Sequence, residues 1–150
     1  MADLRQLFSD IIRLETELWN AVDSRLRDEF DLPLARFEFM LFIAGHPACR
    51  VHDIADAMVM TVGGTSKLVD RIEAAGLCRR RPNPDDRRSS LIELTAAGKR
   101  LLARASAVFD EELERLLGGA VSERSLQQLA ATLVLLRAAG HDDAAAARVA

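Results

Sequence analysis

Hydrophobic residues recur at the spacing of a helix face along most of this chain of 150 residues. Near the start, apolar side chains return every three or four positions, which predicts one helix over residues 3–29. The apolar positions of that helix are Leu4, Leu7, Phe8, Ile11, Ile12, Leu18, Trp19, Val22 and Leu26. Because a helix of this length spans about 40 Å, we expect part of its apolar face to be covered from outside its own domain.

The next stretch predicts two shorter helices. Pro33 interrupts the pattern, and residues 34–44 are apolar almost all round, which is typical of a buried helix. Gly45 and Pro47 are typical of a helix end. Residues 51–58 then form a short amphipathic helix.

A fourth helix is predicted between two capping residues. Thr61 has a side chain suited to an N-cap, and Gly76 favours the left-handed conformation found after helix ends. We expect Leu68, Ile72 and Ala75 to point inward from this helix. Together with the short helix before it, it predicts a helix-turn-helix.

The period then changes to that of two short strands. Residues 77–81 and 90–94 flank a turn with two prolines and two aspartates, which predicts a β-hairpin with a charged tip. A helix-turn-helix followed directly by a hairpin is a winged helix.

Two further helices complete the pattern. Thr95 would cap a helix that runs to residue 117, and Ser122 would cap a last helix to residue 139. Gly140 would close that helix, and the tail over residues 141–150 is expected to fray.

The fold class is therefore mainly α with a small β-hairpin wing. Residues 33–98 are assigned to a winged helix-turn-helix domain and residues 99–117 to a connecting helix. Long amphipathic helices at both ends, residues 1–32 and 118–150, predict a separate dimerisation layer.

Charge is distributed unevenly along the chain, whose formal net charge is −3. Residues 61–100 hold nine Lys and Arg against five Asp and Glu. Residues 1–60 hold six against eleven, and residues 101–150 hold five against seven. Because local patches and not the total set a binding field, the central segment is the candidate surface for nucleic acid.

The start of the fourth helix is rich in small and polar residues. Its candidate DNA-binding residues are Thr61, Gly63, Gly64, Thr65, Ser66 and Lys67. Each glycine costs a helix about 1 kcal/mol relative to alanine, so a functional interpretation is that a backbone or phosphate approaches closely there. The alternative is that the glycines belong to a loop and the helix begins later.

The hairpin tip carries the densest charge. Its candidate DNA-binding residues are Arg79, Arg81, Asp86, Arg87 and Arg88. A long guanidinium at a narrow tip can enter a minor groove, and we expect Asp86 to hold Arg88 extended through a bidentate pair. The alternative is a solvated charged turn.

The stretch LVDRIEAAGLCRRRPNPDDRRSSLIELTAAG resembles the signature of the MarR family of transcriptional regulators. The matching residues are Asp70, Arg71, Gly76, Leu77, Arg81, Asp86, Arg88, Leu94, Thr95 and Gly98. The resemblance implies a homodimer that reads a palindromic operator in duplex DNA, more often as a repressor. It places four residues of the fourth helix at contact positions: Thr65, Ser66, Lys67 and Arg71. It makes Arg88 the minor-groove arginine, paired with Asp86.

The resemblance also implies that a small aromatic or phenolic anion releases the DNA. Trp19, Phe37 and Phe42 are candidates for lining the pocket of such an effector. The alternative for each is ordinary core packing.

Competing interpretations rest on fewer residues. His46, Cys49 and His52 have a spacing that could bind a metal ion, although no fourth ligand is evident. Cys78 lies beside two arginines, an environment that could favour a reactive thiolate. We nevertheless expect its side chain to face the hairpin core or the adjoining helix. No hydrolase, phosphate-loop or zinc-protease motif is present, so we expect no enzyme activity, cofactor or resident metal.

A winged helix that binds only proteins is a third interpretation, which does not require the arginine-rich tip. The chain has no apolar run of about 20 residues and no signal-like start. A cytoplasmic location with reduced thiols is therefore expected.

Overall fold

The computed structural model describes residue 1 and residues 3–149, and the side chains of residue 1 and residues 3–139. The elements in chain order are α1 (Leu4–Phe30), α2 (Leu34–Gly45), α3 (Val51–Ala57), α4 (Val62–Ala74), β1 (Cys78–Pro82), β2 (Ser90–Leu94), α5 (Ala96–Leu113), a π-helical turn (Glu114–Gly118) and α6 (Glu123–Val149). The predicted class, mainly α with a small β-hairpin wing, is confirmed.

The chain divides into two compact units. The first, Met1–Asp110, contains α1 to α4, the hairpin and most of α5, and the second begins at Glu111. Of the helices that the structure describes, none is both long and apolar enough to cross a membrane.

Only the second half of α1 contributes to a core. Asp3 caps the helix by accepting hydrogen bonds from the backbone of Arg5 and Gln6 at 3.0 and 3.2 Å. Val22 and Leu26 are buried, whereas Phe8 in the first half is 67% exposed. The first unit therefore leaves the amino-terminal apolar face of α1 uncovered.

The core of the first unit lies where α2 meets the helix-turn-helix, the hairpin and α5. Its largest buried side chains are Leu26, Leu32, Phe37, Phe39, Met40, Ile54, Val69, Ile72 and Ile92. The ring of Phe37 stacks on Phe109 of α5 with 4.9 Å between centroids. Burial of these apolar groups stabilises the arrangement of helices that carries the wing.

The inward face of α4 differs from the prediction. Thr65, Val69 and Ile72 are buried, while Leu68 is half-buried and Ala75 is exposed. Only apolar residues of this helix were expected to point inward. The Thr65 hydroxyl is buried because it donates to the carbonyl oxygen of Thr61 at 2.9 Å, so it needs no outside partner.

The antiparallel hairpin pairs Arg79 with Glu93 and Arg80 with Ile92. A third segment joins it, since the Ile92 amide donates to the carbonyl oxygen of Cys49 at 2.8 Å. The loop between α2 and α3 is thus hydrogen-bonded to the base of the wing.

The last part of the chain departs from prediction twice. The helix that begins after Thr95 changes to a π-helical turn at Glu114 and does not continue regularly to residue 117. The last helix does not stop at Gly140 but runs to Val149, with Ala150 outside the described residues. One glycine costs a helix only about 1 kcal/mol, and the alanine-rich segment that follows favours continuation.

Thr95 and Gly98 close the joint between the hairpin and α5. The Thr95 hydroxyl donates to the carbonyl oxygen of Gly76 at 2.6 Å and accepts from the Gly98 amide at 3.0 Å. A Cβ atom at Gly98 would lie 2.0 Å from the carbonyl oxygen of Leu77, which is a severe clash with backbone. Only glycine permits this approach.

Gly98→Ala should therefore destabilise the protein by about 2 kcal/mol or more, because the clash can be relieved only by moving backbone. Denaturant unfolding followed by circular dichroism measures the change. Gly45→Ala is the matched control, since a Cβ at Gly45 meets nothing within 4 Å. Equal unfolding free energies for the two variants would contradict the proposed role of Gly98.

Candidate nucleic-acid interface

The first turn of α4 is helical through both glycines. Thr61 is the N-cap, and its hydroxyl oxygen accepts from the Gly64 amide at 3.1 Å. The alternative that Gly63 and Gly64 belong to a preceding loop is therefore wrong. A Cβ at Gly63 would meet nothing within 4 Å, so packing inside the chain does not require glycine at this position.

The side chains of α4 divide into internal and outward groups. Thr65 is fully buried and hydrogen-bonded to Thr61, so its side chain supports the helix start and does not offer an outward contact. Ser66 is half-buried, and Lys67 and Arg71 are exposed. Because Lys67 and Arg71 are four residues apart, the two cations lie on one face of the helix.

The arginines of β1 alternate between two environments. Arg79 and Arg81 both pair with Glu93 of β2, at 2.6 and 3.2 Å. Arg80 points to α4, where it contacts Asp70 and Glu73. Glu93 thus partly neutralises two of the predicted DNA-binding residues while leaving both exposed.

Hydrogen bonds within the turn stabilise the tip of the wing. The Asn83 side chain is buried, donates to the Ser89 hydroxyl at 2.9 Å and accepts from the Asp85 amide at 3.0 Å. The Ser89 amide donates to the carbonyl oxygen of Asp86 at 3.2 Å. These bonds give the exposed tip a defined backbone conformation.

The predicted bidentate pair between Asp86 and Arg88 is wrong. The Asp86 carboxylate instead accepts from the backbone amide of Arg88 at 2.9 Å, because its short side chain reaches the chain two residues later. Within the described part of the chain, the guanidinium groups of Arg87 and Arg88 have no carboxylate partner and are exposed. Among the described residues, the tip therefore presents two guanidinium groups without ion-pair partners, next in sequence to the exposed Asp85 and Asp86.

The proposed metal ligands do not converge. Cys49 is buried and its thiol donates to the carbonyl oxygen of Ile92 at 3.6 Å. His46 stacks on Phe42 and is hydrogen-bonded through Nδ1 to the carbonyl oxygen of Phe42 at 2.8 Å. Among the residues whose side chains are described, no group of three His, Cys, Asp or Glu could hold a metal ion.

Both thiols lie in surroundings that disfavour a thiolate. Burial raises the pKa of Cys49. Burial, together with the nearby Glu73 carboxylate, raises the pKa of Cys78 from 9.0 to about 11, against the opposing effect of Arg80. A reactive, exposed thiolate at Cys78 is inconsistent with this environment.

The three aromatic candidates for an effector pocket are not brought together. Phe37 is a core residue against Phe109, and Phe42 packs on His46. Trp19 borders an open cavity of about 260 Å³ that is lined by Glu15, Thr16, Trp19 and Asn20. Core packing is the observed role of Phe37.

Sequence reasoning missed four residues that organise this surface: Glu73, Arg80, Asn83 and Glu93. The register of the predicted hairpin could have found Glu93, because it lies opposite Arg79. Asn83 precedes a proline, a pattern typical of turns. The contact of Arg80 with Glu73 depends on how the strand packs on α4, and no local signal reports that.

Comparisons with known proteins agree with this geometry. Residues 30–89, which span α2 to the wing, match the family model described as MarR family. The transcriptional regulator HosA of Escherichia coli O157:H7 is 32% identical over 104 residues, which cover 69% of this chain and 76% of HosA.

Two further proteins extend the comparison. The HTH-type transcriptional regulator YfiV of Bacillus subtilis (strain 168) is 29% identical over 73 residues, and the match spans 49% of this chain but only 46% of YfiV, less than half its length. The crystal structure of the S. aureus MepR-DNA complex superposes with a TM-score of 0.77 at 26% identity, covering 93% of this chain and 99% of MepR. HosA and YfiV are both transcriptional regulators, in agreement with the prediction that the chain is not an enzyme.

The environment of Cys78 predicts how stability depends on pH. The unfolded chain releases the thiol proton near pH 9, whereas the folded chain holds it until about pH 11. The free energy of unfolding should therefore be unaffected by this group below pH 9 and should fall by roughly 2 kcal/mol as pH rises to 11.

Urea unfolding between pH 8 and 11 measures this loss. The chain has no tyrosine, so ionisation of a phenol does not contribute to the profile in this range. Cys78→Ala should flatten the pH profile relative to the parent chain, with Cys49→Ala as the control for the second thiol. A parent profile that is flat to pH 11 would show that Cys78 is not held protonated.

Proposed function

The chain belongs to the MarR family of transcriptional regulators, and from this premise we propose that it binds a palindromic DNA operator as a homodimer and represses transcription. The observation that carries the proposal is the set of outward cations on one winged unit: Lys67 and Arg71 on α4, and Arg87 and Arg88 on the wing. In a chain of net charge −3, this local positive charge supports binding of a polyanion.

Under this proposal α4 reads bases in the major groove. Winged and helix-turn-helix proteins present the amino-terminal half of the recognition helix to base edges. Ser66, Lys67 and Arg71 then supply donors to bases or phosphates, while Gly63 and Gly64 let the backbone approach. Thr61 and Thr65 contribute by fixing the helix start.

The wing supplies contacts of a different kind. Arg88 enters the minor groove, where a narrow groove strengthens the negative potential. Arg87 contacts the adjacent phosphates. Arg79 and Arg81, already paired with Glu93, add weaker phosphate contacts along the strand. Asp86 shapes the turn through the Arg88 amide.

The homodimer is supported by uncovered apolar surface on the terminal helices. On α1 the exposed apolar residues are Leu4, Leu7, Phe8, Ile11, Ile12, Leu14 and Trp19, and on α6 they are Leu129, Leu133, Val134, Leu135 and Leu136. A second copy of the chain is the occupant that we propose for both faces. Residues 1–32 and 118–150 then form the dimerisation layer, residues 33–98 the DNA-binding domain and residues 99–117 the connection.

Release by a small aromatic or phenolic anion is the remaining element of the proposal. It is supported by the family resemblance and, in this chain, by exposed Trp19 beside its cavity. A phenolic carboxylate such as 4-hydroxybenzoate, added to a preformed complex, should lower DNA affinity. Unchanged affinity across a panel of such anions would refute release by an effector and would leave the proposed DNA binding standing.

DNA binding should depend steeply on salt, because each phosphate neutralised adds about −0.9 to the log–log slope. Duplexes selected from random DNA with the purified chain provide the operator. Arg88→Ala should weaken binding to all selected duplexes by about tenfold. Substitution of Ser66 or Lys67 should instead change which duplex is preferred.

Fluorescence anisotropy at several salt concentrations gives affinity and slope together. Arg5→Ala removes an exposed arginine on α1 and is the matched control for Arg88→Ala. A flat salt dependence, or no binding of duplex DNA at low salt, would refute DNA recognition and favour a winged helix that binds proteins.

A charge inside the exposed apolar face of α1 should break the dimer. Ile11→Glu places a carboxylate that would be desolvated in the interface, at a cost of several kcal/mol. Light scattering coupled to size-exclusion chromatography should report twice the mass of one chain for the parent protein and a single-chain mass for the variant. Ser9→Glu adds the same charge on the polar side of α1 and should remain dimeric. A monomeric parent protein would disprove the proposed assembly.

A further inference from the structure

Arg80 lies between the wing and the recognition helix and contacts both. We propose that Arg80, Asp70 and Glu73 form a clamp that holds the wing in register with α4 and masks two carboxylates on the DNA-facing helix. The inference rests on the proposed function. The family resemblance includes Asp70 without giving it a role, and it includes neither Arg80 nor Glu73.

The contacts are directed and reach across two elements. The Arg80 guanidinium donates to Asp70 Oδ1 at 2.6 Å and to Glu73 Oε2, while the Arg80 backbone amide donates to Glu73 Oε1 at 2.9 Å. One guanidinium therefore spans two carboxylates that are three residues apart on α4, and Glu73 is tied to both the side chain and the backbone of β1. The planar guanidinium group of arginine, with its several N–H donors, suits this geometry, whereas the ammonium group of lysine can bind only one of the two carboxylates well.

Burial separates this clamp from an ordinary surface ion pair. The Arg80 side chain is 26% exposed, compared with 68% for Arg79 on the opposite face of the same strand. Exposed pairs contribute little because water and salt screen them. At Arg80 partial burial reduces that screening, and three hydrogen bonds fix one relative position of strand and helix.

Charge gives the clamp a second effect. Along α4 the cations Lys67 and Arg71 are offset by the anions Asp70 and Glu73, so the helix alone carries no net charge. Asp70 is 62% exposed, close in sequence to both cations. Arg80 restores a positive balance, and its loss would leave the exposed Asp70 carboxylate unpaired beside Lys67 and Arg71 and would remove the guanidinium partner of Glu73.

The position of the wing relative to α4 matters because the two bind different grooves. Lys67 and Arg71 address the major groove, and Arg88 addresses the adjacent minor groove. If the wing moves independently of α4, minor-groove contact is lost while major-groove contact persists. A merely stabilising role for Arg80 would instead weaken both contacts together.

Dimethyl sulfate footprinting separates these outcomes, because it methylates guanine N7 in the major groove and adenine N3 in the minor groove. The probe is the duplex selected by the parent chain, at protein concentrations that saturate each variant. Arg80→Gln should weaken binding at least tenfold and should lose adenine N3 protection beneath the wing while retaining guanine N7 protection beneath α4. Arg80→Lys should show an affinity and a degree of adenine N3 protection between those of Arg80→Gln and the parent chain.

Two matched variants test the charge argument. Arg79→Gln removes the same charge one residue earlier, and it should lower affinity without changing the pattern of protection. Adding Asp70→Asn and Glu73→Gln to Arg80→Gln removes the unmasked carboxylates and should recover part of the lost affinity without restoring N3 protection. Thermal unfolding by circular dichroism verifies that each variant is folded at the temperature of the assay.

The outcomes are distinguishable. Equal loss of N7 and N3 protection in Arg80→Gln, or a footprint identical to that of the parent chain, would overturn the clamp while leaving DNA binding intact. If the parent chain protects no duplex at all, the proposed function fails and the clamp's role in DNA binding fails with it.

Discussion

The surface described above depends on one close contact, the approach of the α5 amino terminus to the end of α4. Gly98 lies against the carbonyl group of Leu77, and Thr95 ties Gly76 to the first turn of α5. Both strands of the hairpin begin or end at this joint. A hairpin of two short strands has little stability of its own, so its direction is set by the helices that hold its base.

The arginines of the hairpin illustrate how a protein prepares a basic surface without excess repulsion. Glu93 lies between Arg79 and Arg81, and Arg80 is turned to Asp70 and Glu73. Among the residues that the structure describes, the tip arginines have no ion-pair partner. Pairing fixes rotamers near the base of the wing, while a free guanidinium at the tip has no intramolecular bond to break before it contacts a phosphate or groove. The uneven pairing therefore leaves the guanidinium groups at the end of the wing available for contacts with another molecule.

The sequence was sufficient where structure is local and insufficient where it depends on packing. The cap at Thr61, the left-handed Gly76 and the strand over Ser90–Leu94 were predictable, because each follows from backbone chemistry and short-range pattern. The inward face of α4 was misplaced because a back-bonded threonine can occupy a core position. The pairing of Asp86 was wrong because the backbone amide of Arg88 competed with its side chain, and Glu73 was missed because its partner lies on another element.

The helix α1 links the proposed assembly to the DNA-binding surface through a single rigid element. Its second half is packed in the core at Val22 and Leu26, close in sequence to the Asp23 carboxylate that accepts from the Leu34 amide at 2.8 Å. Its first half exposes the apolar face that we assign to a second copy. Sharp kinks in long helices occur at proline, glycine pairs or π-bulges, and α1 contains neither proline nor glycine. Under the proposed assembly, the dimer contact and the core around α2 are therefore joined by one continuous helix. Under the proposed function, the orientation of each recognition helix within the dimer therefore also depends on α1, which lies outside the proposed DNA-binding surface.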